Sequence, residues 1–244
     1  MADTGTRSAE ERMIAEARKA FFVMFGFLCL VWAVQLGNWS DDNGLTRQFG
    51  LVPQDVSRLP DIFTSPFLHL SWQHLEGNSG PLFVFGFLAA YRGVKKFLGL
   101  TLLIAVTSGL AVWVFQNTSS VTVGASGLVF GYLGYVVLRG VFDRHLIDTL
   151  IGAVMFASFA YVLTGATPGA PTGVSWLGHL GGLVGGLAGA WIFRDRSERP
   201  LGQAAGRPAR QTAGQTTGQS AAPVPAQAPS SNAELLKQLD DLGL

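Results

Sequence analysis

The sequence predicts an all-α, polytopic membrane protein built as a bundle of six transmembrane helices. Of its 244 residues, 48% are hydrophobic and only 14% are charged, and the mean hydropathy is +0.33. The 31 glycines agree with this class, because small residues let neighbouring membrane helices approach closely. A spanning helix needs about 17–25 mostly apolar residues. Apolar runs of that length are found at 20–37, 74–91, 97–116, 124–141, 146–164 and 176–193.

The charged N-terminal segment 1–19 precedes the first run, and we expect it to be short, amphipathic and cytoplasmic. No small-residue cleavage site follows the run 20–37, so we expect this run to be retained as the first span and not removed as a signal peptide. Cys29, the single cysteine, lies within that run, which excludes an intrachain disulfide. The fold therefore needs no oxidising compartment.

Between the first two runs, residues 38–73 mix charged and apolar side chains. Asp55 and Arg58 occur beside large apolar residues such as Ile62 and Trp72. Disordered linkers contain few apolar residues of this size. The mixture therefore predicts a partly folded first outer loop that lies in the membrane interface.

The distribution of positive charge predicts the orientation. Six spans put both termini on the same side, and an excess of Lys and Arg is typical of cytoplasmic segments. The connections 117–123 and 165–175 contain neither residue. We therefore predict that both termini are cytoplasmic. The cytoplasmic set is Arg7, Arg12, Arg18, Lys19, Arg92, Lys95, Lys96, Arg139, Arg144, Arg194, Arg196 and Arg199, and the first outer loop holds Arg47 and Arg58.

The composition changes abruptly after the last run. Residues 196–230 are rich in Ala, Gly, Gln, Pro, Ser and Thr, which predicts a disordered linker. Residues 231–244 place leucines at helical spacing and predict a short amphipathic helix. Such a helix is too short to be stable alone in water. It either docks on the membrane or on an unknown partner, or frays in solvent.

Polar residues interrupt three of the apolar runs. Ser126 lies near the start of the fourth run, His179 lies in the sixth, and His74 and Asn78 open the second, with His69 just before it. Polar side chains at membrane depth are costly and are usually retained for function. The predicted topology places these residues at the outer ends of their helices, so we expect them to form one site.

Ser126 is the candidate nucleophile. A lone serine in a membrane helix is most often a packing residue that bonds to a carbonyl one turn earlier. Ser126, however, lies between Gly124 and Gly127, and glycines let another helix approach. Leu128 occupies the second glycine position of the Gly-x-Ser-x-Gly elbow, which argues against a soluble α/β-hydrolase.

His179 is the candidate base. It lies among two interleaved rows of glycines with four-residue spacing, which give the sixth span a small face. Packing of that face on the fourth span would bring His179 to Ser126, whose hydroxyl needs a base to become a nucleophile. Asp143 and Asp148 belong to the opposite membrane face, so the sequence predicts a dyad without a carboxylate. The alternative is a histidine that bonds a carbonyl across a helix interface.

His74 and Asn78 are four residues apart and share one helix face. With the Ser126 N–H they could donate hydrogen bonds to an oxyanion, where the loss of one donor typically costs about 10²–10³ in rate. The alternative is a polar pair that fastens the second span to the first loop. A metal site fits less well, because His145 is cytoplasmic and Cys29 lies mid-membrane. We expect no metal and no other cofactor.

These residues resemble the motifs of the rhomboid intramembrane serine proteases. The resemblance covers residues 20–195, the expected catalytic domain, and includes three spaced motifs in the family's order. The matching residues are His69, His74 and Asn78 for His-x4-His-x3-Asn; Gly124, Ser126 and Gly127 for Gly-x-Ser-Gly; and His179, Gly182 and Gly186 for His-x2-Gly-x3-Gly.

The resemblance implies a role for each polar residue. Ser126 would be the nucleophile and His179 the base, while His74, Asn78 and the Ser126 amide would form the oxyanion hole. His69 would be structural in the first loop. Many members carry a tyrosine one turn after the serine, packed on the histidine ring, whereas this chain has Phe130. The Trp-Arg pair of the family's first loop is missing.

The resemblance also implies the reaction. We expect a serine endopeptidase in a bacterial plasma membrane that cleaves single-span membrane proteins near the outer membrane face. The alternative is a catalytically silent rhomboid-like protein that binds membrane clients. Such members typically lack the serine or the histidine, and both are present here. The net charge of +1 does not indicate a nucleic-acid partner, and we expect none.

Overall fold

The computed structural model describes residues 8–117, 120–169 and 175–195. Regular structure in these ranges is helical, apart from a single antiparallel bridge between Leu51 and Thr122. The predicted linker 196–230 and the predicted C-terminal helix 231–244 lie outside the described residues.

Seven α-helices and three 3₁₀ segments follow one another along the described chain. The α-helices are α1 Ala9–Ser40, α2 Gly44–Phe49, α3 Trp72–Ala90, α4 Val94–Phe115, α5 Ser126–Asp143, α6 Leu146–Phe159 and α7 Trp176–Ile192. The 3₁₀ segments are η1 Val56–Ile62, η2 Ser65–Phe67 and η3 Ala160–Ala166. By length and composition, three described stretches could each cross a membrane, namely Glu10–Ser40, Val94–Phe115 and Leu146–Ala166.

Helix α1 joins the charged N-terminal segment to the first apolar run without a break. The Ser8 hydroxyl accepts the Glu11 N–H and the Glu11 carboxylate accepts the Ser8 N–H, both at 3.2 Å. This reciprocal capping satisfies two N–H groups that the first turn would otherwise leave unpaired. The described part of the segment 1–19 is therefore the first turns of the same helix that contains residues 20–37.

Helix α5 lies at the centre of the bundle and packs against α3, α4, α6 and α7. Its closest neighbour is α7, because a Cβ atom at Gly182 would collide with the Gly127 carbonyl and one at Gly186 with the Gly131 carbonyl. Glycine at these positions lets the two backbones touch. The second glycine row of α7, at Gly181, Gly185 and Gly189, faces α4 in the same way.

The segment between α1 and α3 is folded onto the bundle. The buried Asn38 amide group at the end of α1 donates to the Thr46 hydroxyl at 3.0 Å and to the His69 carbonyl at 3.2 Å. Leu51 and Thr122 exchange backbone hydrogen bonds of 3.1 and 2.8 Å. The segment is thereby attached to the residues that lead into α5.

A group of paired charges lies at the opposite end of α5 from Ser126. The buried Arg139 contacts Asp148 of α6 at 2.8 Å, and Asp148 also pairs with Arg92, which follows α3. A helix rises about 1.5 Å per residue, so this group is roughly 20 Å from Ser126. These ion pairs join the C-terminal ends of α3 and α5 to the N-terminal end of α6.

Candidate active site

Ser126 is the first residue of α5 and follows a sharp turn. Gly124 has φ +130°, a backbone conformation that residues other than glycine rarely adopt. Two hydrogen bonds hold the turn: the Gly124 N–H donates to the Ser65 carbonyl at 3.0 Å, and the buried Ala125 N–H donates to His69 Nε2 at 3.3 Å. The Ser126 hydroxyl is therefore presented by a fixed backbone at a helix start.

His179 lies in the first turn of α7 and reaches Ser126 directly. Its Nε2 atom is 2.7 Å from the Ser126 Oγ atom, and its Nδ1 atom is 2.9 Å from the Gly165 carbonyl oxygen in η3. The Gly182–Gly127 contact, one turn farther along, brings α7 close enough to α5 for this. The hydroxyl and the imidazole thus have the geometry for a proton transfer between them.

Phe130 covers the imidazole. Its ring centroid is 4.2 Å from that of His179, with the ring planes only 13° apart. Phe130 follows Ser126 by one helical turn, so both side chains lie on the face of α5 that α7 meets. The stacking fixes the plane of the imidazole, although a phenyl ring offers no hydrogen bond.

His74 and Asn78 approach the same place from α3. His74 lies against Gly124, since a Cβ atom there would come within 2.7 Å of the His74 ring. Asn78 is buried, and its Nδ2 atom has no hydrogen-bond partner among the residues that the structure describes. Buried amide groups usually have partners, so the free donor of Asn78, a residue that lines the same cavity as Ser126, calls for an explanation.

His69 is fully buried beneath this group and meets His74 edge to face, with ring centroids 5.0 Å apart. Burial, reinforced by the neighbouring His74, lowers the pKa of His69 from 6.5 to about 3. The ring is therefore neutral over the physiological range, as its acceptance of the Ala125 N–H requires.

A cavity of about 930 Å³ opens at Ser126. Its lining combines the polar residues with apolar side chains from α4 and from the segments on either side of η2. The cavity is lined by Ser126, His179, His74, Asn78, Gly124, Leu51, Ile62, Val112 and Phe115, among others. Among the described residues, no group of three or more His, Cys, Asp or Glu side chains could hold a metal ion.

Comparison with known proteins gives the family. A family model described as the rhomboid domain matches residues 56–196, more than half of the chain. The chain belongs to the rhomboid family. Together with its long apolar helices, this makes it an integral membrane protein.

Relatives of this rhomboid include proteins both with and without a named activity. An uncharacterized protein of Mycobacterium tuberculosis is 35% identical over 190 residues, covering 74% of this chain and 79% of the relative. One of Mycobacterium leprae is 36% identical over 191 residues, covering 73% and 74% respectively. The rhomboid protease GlpG of Haemophilus influenzae is 24% identical over 192 residues, covering 78% and 97%.

Two features of the rhomboid site escaped the sequence reasoning. Gln116, at the end of α4, accepts a 2.6 Å hydrogen bond from Ser175 and donates one of 2.9 Å to Thr122. It thereby joins the residue before α7 to the segment that leads into α5. A serine before an apolar run is a capping signal, so Ser175 could have been found. The second feature, the contact of the Gly165 carbonyl with His179, could not have been predicted, because every residue has a backbone carbonyl and the sequence does not single this one out.

Proposed function

We propose that this rhomboid is an intramembrane serine endopeptidase in which Ser126 and His179 form the catalytic dyad. The 2.7 Å approach of the Ser126 Oγ atom to the His179 Nε2 atom carries the proposal. A serine hydroxyl becomes an effective nucleophile only when a base takes its proton. In this chain, His179 lies within hydrogen-bond distance of that hydroxyl. The family to which the chain belongs also includes proteases.

The reaction follows from this pair. The Ser126 Oγ atom attacks the carbonyl carbon of a substrate peptide bond while its proton passes to His179 Nε2. The protonated imidazole then gives that proton to the leaving amine as the C–N bond breaks, which leaves an ester on Ser126. A water molecule attacks the ester with His179 again as base, and the proton returns to Oγ as the acid product leaves.

Negative charge develops on the substrate carbonyl oxygen in both steps. The unpartnered Asn78 Nδ2, the His74 ring and the Ser126 N–H are the donors that we assign to it. The first N–H groups of a helix have no partner within the helix, so the Ser126 amide is free for this role. Such donors stabilise the transition state more than the ground state.

The same proposal includes a membrane topology. We propose that α1 and α3–α7 form six spans of a catalytic domain 20–195, with both termini on the cytoplasmic side of a bacterial plasma membrane. Ser126, His179, His74 and Asn78 then lie near the outer face, where single-span membrane proteins would be cleaved. The segment 38–73 and the fifth span, α6 with η3, would form the rim through which such substrates enter.

The test is covalent labelling with a fluorophosphonate in membranes, alongside cleavage of a model single-span substrate in proteoliposomes. The unchanged chain should be labelled and should cleave. Ser126→Ala should lose both activities, and Ser40→Ala, which changes an exposed serine at the end of α1, should keep both. Substantial cleavage by Ser126→Ala would exclude the proposed nucleophile. Stable client binding without any turnover would instead identify a catalytically silent rhomboid.

A further inference from the structure

The two nitrogens of the His179 ring have different partners. Nδ1 lies 2.9 Å from the carbonyl oxygen of Gly165, and Nε2 lies 2.7 Å from the Ser126 Oγ atom. A carbonyl oxygen can only accept a hydrogen bond, so Nδ1 must carry the proton of the neutral ring. Nε2 is then unprotonated and can accept the Ser126 proton. The Gly165 carbonyl therefore selects the tautomer that a base requires.

No carboxylate takes this role in the described chain. The hydrogen bonds of the His179 ring there go to Gly165 and Ser126, and the paired acids Asp143 and Asp148 lie at the other end of α5. A base that works with a serine normally needs a third group to orient it.

We propose that the backbone carbonyl of Gly165 is the positioning group for His179, in place of a carboxylate. The inference rests on the proposed function, since orientation matters only if His179 acts as the base. It assigns η3, the 3₁₀ end of α6, to the active site. A shift of η3 away from α7 would remove the acceptor and leave the imidazole free to adopt the unproductive tautomer.

Close approach explains why this residue is a glycine. A Cβ atom at position 165 would lie 3.2 Å from His179 Nδ1 and 3.3 Å from the Phe130 ring, so a neighbour would have to move by a few tenths of an ångström. Phe130 fixes the plane of the imidazole by stacking. The in-plane hydrogen bond to Gly165 fixes the remaining rotation of the ring within that plane.

Local contacts hold the carbonyl in place. In η3, the Thr164 hydroxyl donates to the Tyr161 carbonyl, and the Thr167 hydroxyl donates to the Thr164 carbonyl, both at 2.7 Å. Just before η3, Phe159 meets the buried Phe85 of α3 edge to face at 4.9 Å. These contacts restrain the end of a helix that otherwise buries little of its surface.

The first test is Gly165→Ala in the full chain, with Gly26→Ala as the matched control. A Cβ atom at Gly26 meets nothing within 4 Å, so that variant should retain full activity. In Gly165→Ala the carbonyl or the ring must shift, and small misplacements of a catalytic group cost up to about a hundred-fold in rate. We expect kcat to fall about ten-fold or more while KM stays within about two-fold of its original value.

A backbone ester tests the carbonyl without adding a side-chain atom. Replacing Ala166 by its α-hydroxy analogue turns the Gly165 amide carbonyl into an ester carbonyl, which is a weaker acceptor. The same replacement at Ala160, the first residue of η3, is the control for the backbone N–H that the ester removes. The ester at 166 should lower kcat more than the ester at 160 does.

Nitrogen-15 NMR of the histidine-labelled protein reads the tautomer independently of turnover. With His179→Gln used to assign the signal, the unchanged chain should show a protonated Nδ1 and an unprotonated Nε2. The ester at 166 should shift that signal and the ester at 160 should not. An Nε2-protonated ring in the unchanged chain, or a kcat that the ester at 166 leaves intact, would overturn the inference. An inactive chain with the expected tautomer would refute the proposed function alone.

Discussion

Three hydrogen bonds that involve backbone atoms hold the residues of the proposed dyad in place. The turn before Ser126 is held through Ser65 and His69, and the His179 ring is held through Gly165. The sequence indicated which side chains to bring together, because serine and histidine are costly in apolar runs. It carried no signal for the carbonyl groups that aim them. At this scale, the residue types were predictable and the partners that orient them were not.

The first prediction concerns Asn78. Its buried Nδ2 atom has no partner in the described chain, and Asn78 lines the same cavity as Ser126. If it donates to the oxyanion, Asn78→Ala should lower kcat by about ten-fold or more, with a smaller change in KM. The measurement is cleavage kinetics in proteoliposomes beside the thermal stability of each variant. A kcat that falls only in step with stability would make Asn78 a structural contact between α3 and its surroundings.

The second prediction concerns His69 and acid. The pKa of about 3 in the folded chain lies below the ordinary value of 6.5 because the ring is buried. As the pH falls below 6.5, the unfolded chain takes up a proton that the folded chain does not. The free energy of unfolding should therefore fall, by up to about 1.4 kcal/mol per pH unit.

His69→Gln is the control for this effect. Its side-chain oxygen can still accept the Ala125 N–H, but it does not titrate. The free energy of unfolding, measured in detergent at several pH values between 6.5 and 4.5, should therefore depend less steeply on pH for His69→Gln than for the unchanged chain. Equal slopes would show that His69 does not carry this acid sensitivity.

At the scale of helices, glycines determine where α5 starts and how closely α5 and α7 pack. The fourth apolar run was predicted from residue 124, but α5 begins at Ser126 because Gly124 has a positive φ that no α-helix contains. The fifth run was predicted as one span, and Leu146–Ala166 is long and apolar enough to be one, but within it α6 ends at Phe159 and continues as η3, where the Thr164 hydroxyl donates to the Tyr161 carbonyl. Apolar runs predict the existence of such helices, whereas their ends depend on these local bonds.

The crossing of α5 and α7 gives the third prediction. A Cβ atom at Gly186 would overlap the Gly131 carbonyl, so Gly186→Ala must push the two helices apart. Overpacking of this kind typically costs about 1–3 kcal/mol. We expect lower thermal stability in detergent and reduced cleavage, because the same crossing brings His179 to Ser126. The matched control is Gly80→Ala, where a Cβ atom meets nothing within 4 Å. Equal stability of the two variants would contradict the close crossing.

At the scale of the whole molecule, chemistry and charge lie at opposite ends of α5. Ser126 begins the helix, whereas Arg139 and Asp143 close it and join Asp148 of α6. An isolated charge inside a bilayer is expensive, so this end must lie where the charges are paired or hydrated. Lys and Arg are concentrated in the segments at this end, and such an excess is typical of cytoplasmic segments, so the proposed topology places this end in the cytoplasm. The nucleophile would then lie near the outer face, which gives the last prediction.

Single-cysteine labelling in intact cells tests this orientation. In a Cys29→Ala background, which removes the chain's own thiol, Val56→Cys places a thiol on the exposed segment between α1 and α3. Lys95→Cys places one in the first turn of α4, near the charged end of the bundle.

A membrane-impermeant maleimide should label Val56→Cys in intact cells and Lys95→Cys only after the membrane is opened. The reverse pattern would put Ser126 near the cytoplasmic face, and labelling of both in intact cells would contradict the six-span arrangement. The reverse pattern would also move the expected cleavage site away from the outer face, while leaving the Ser126–His179 geometry unchanged.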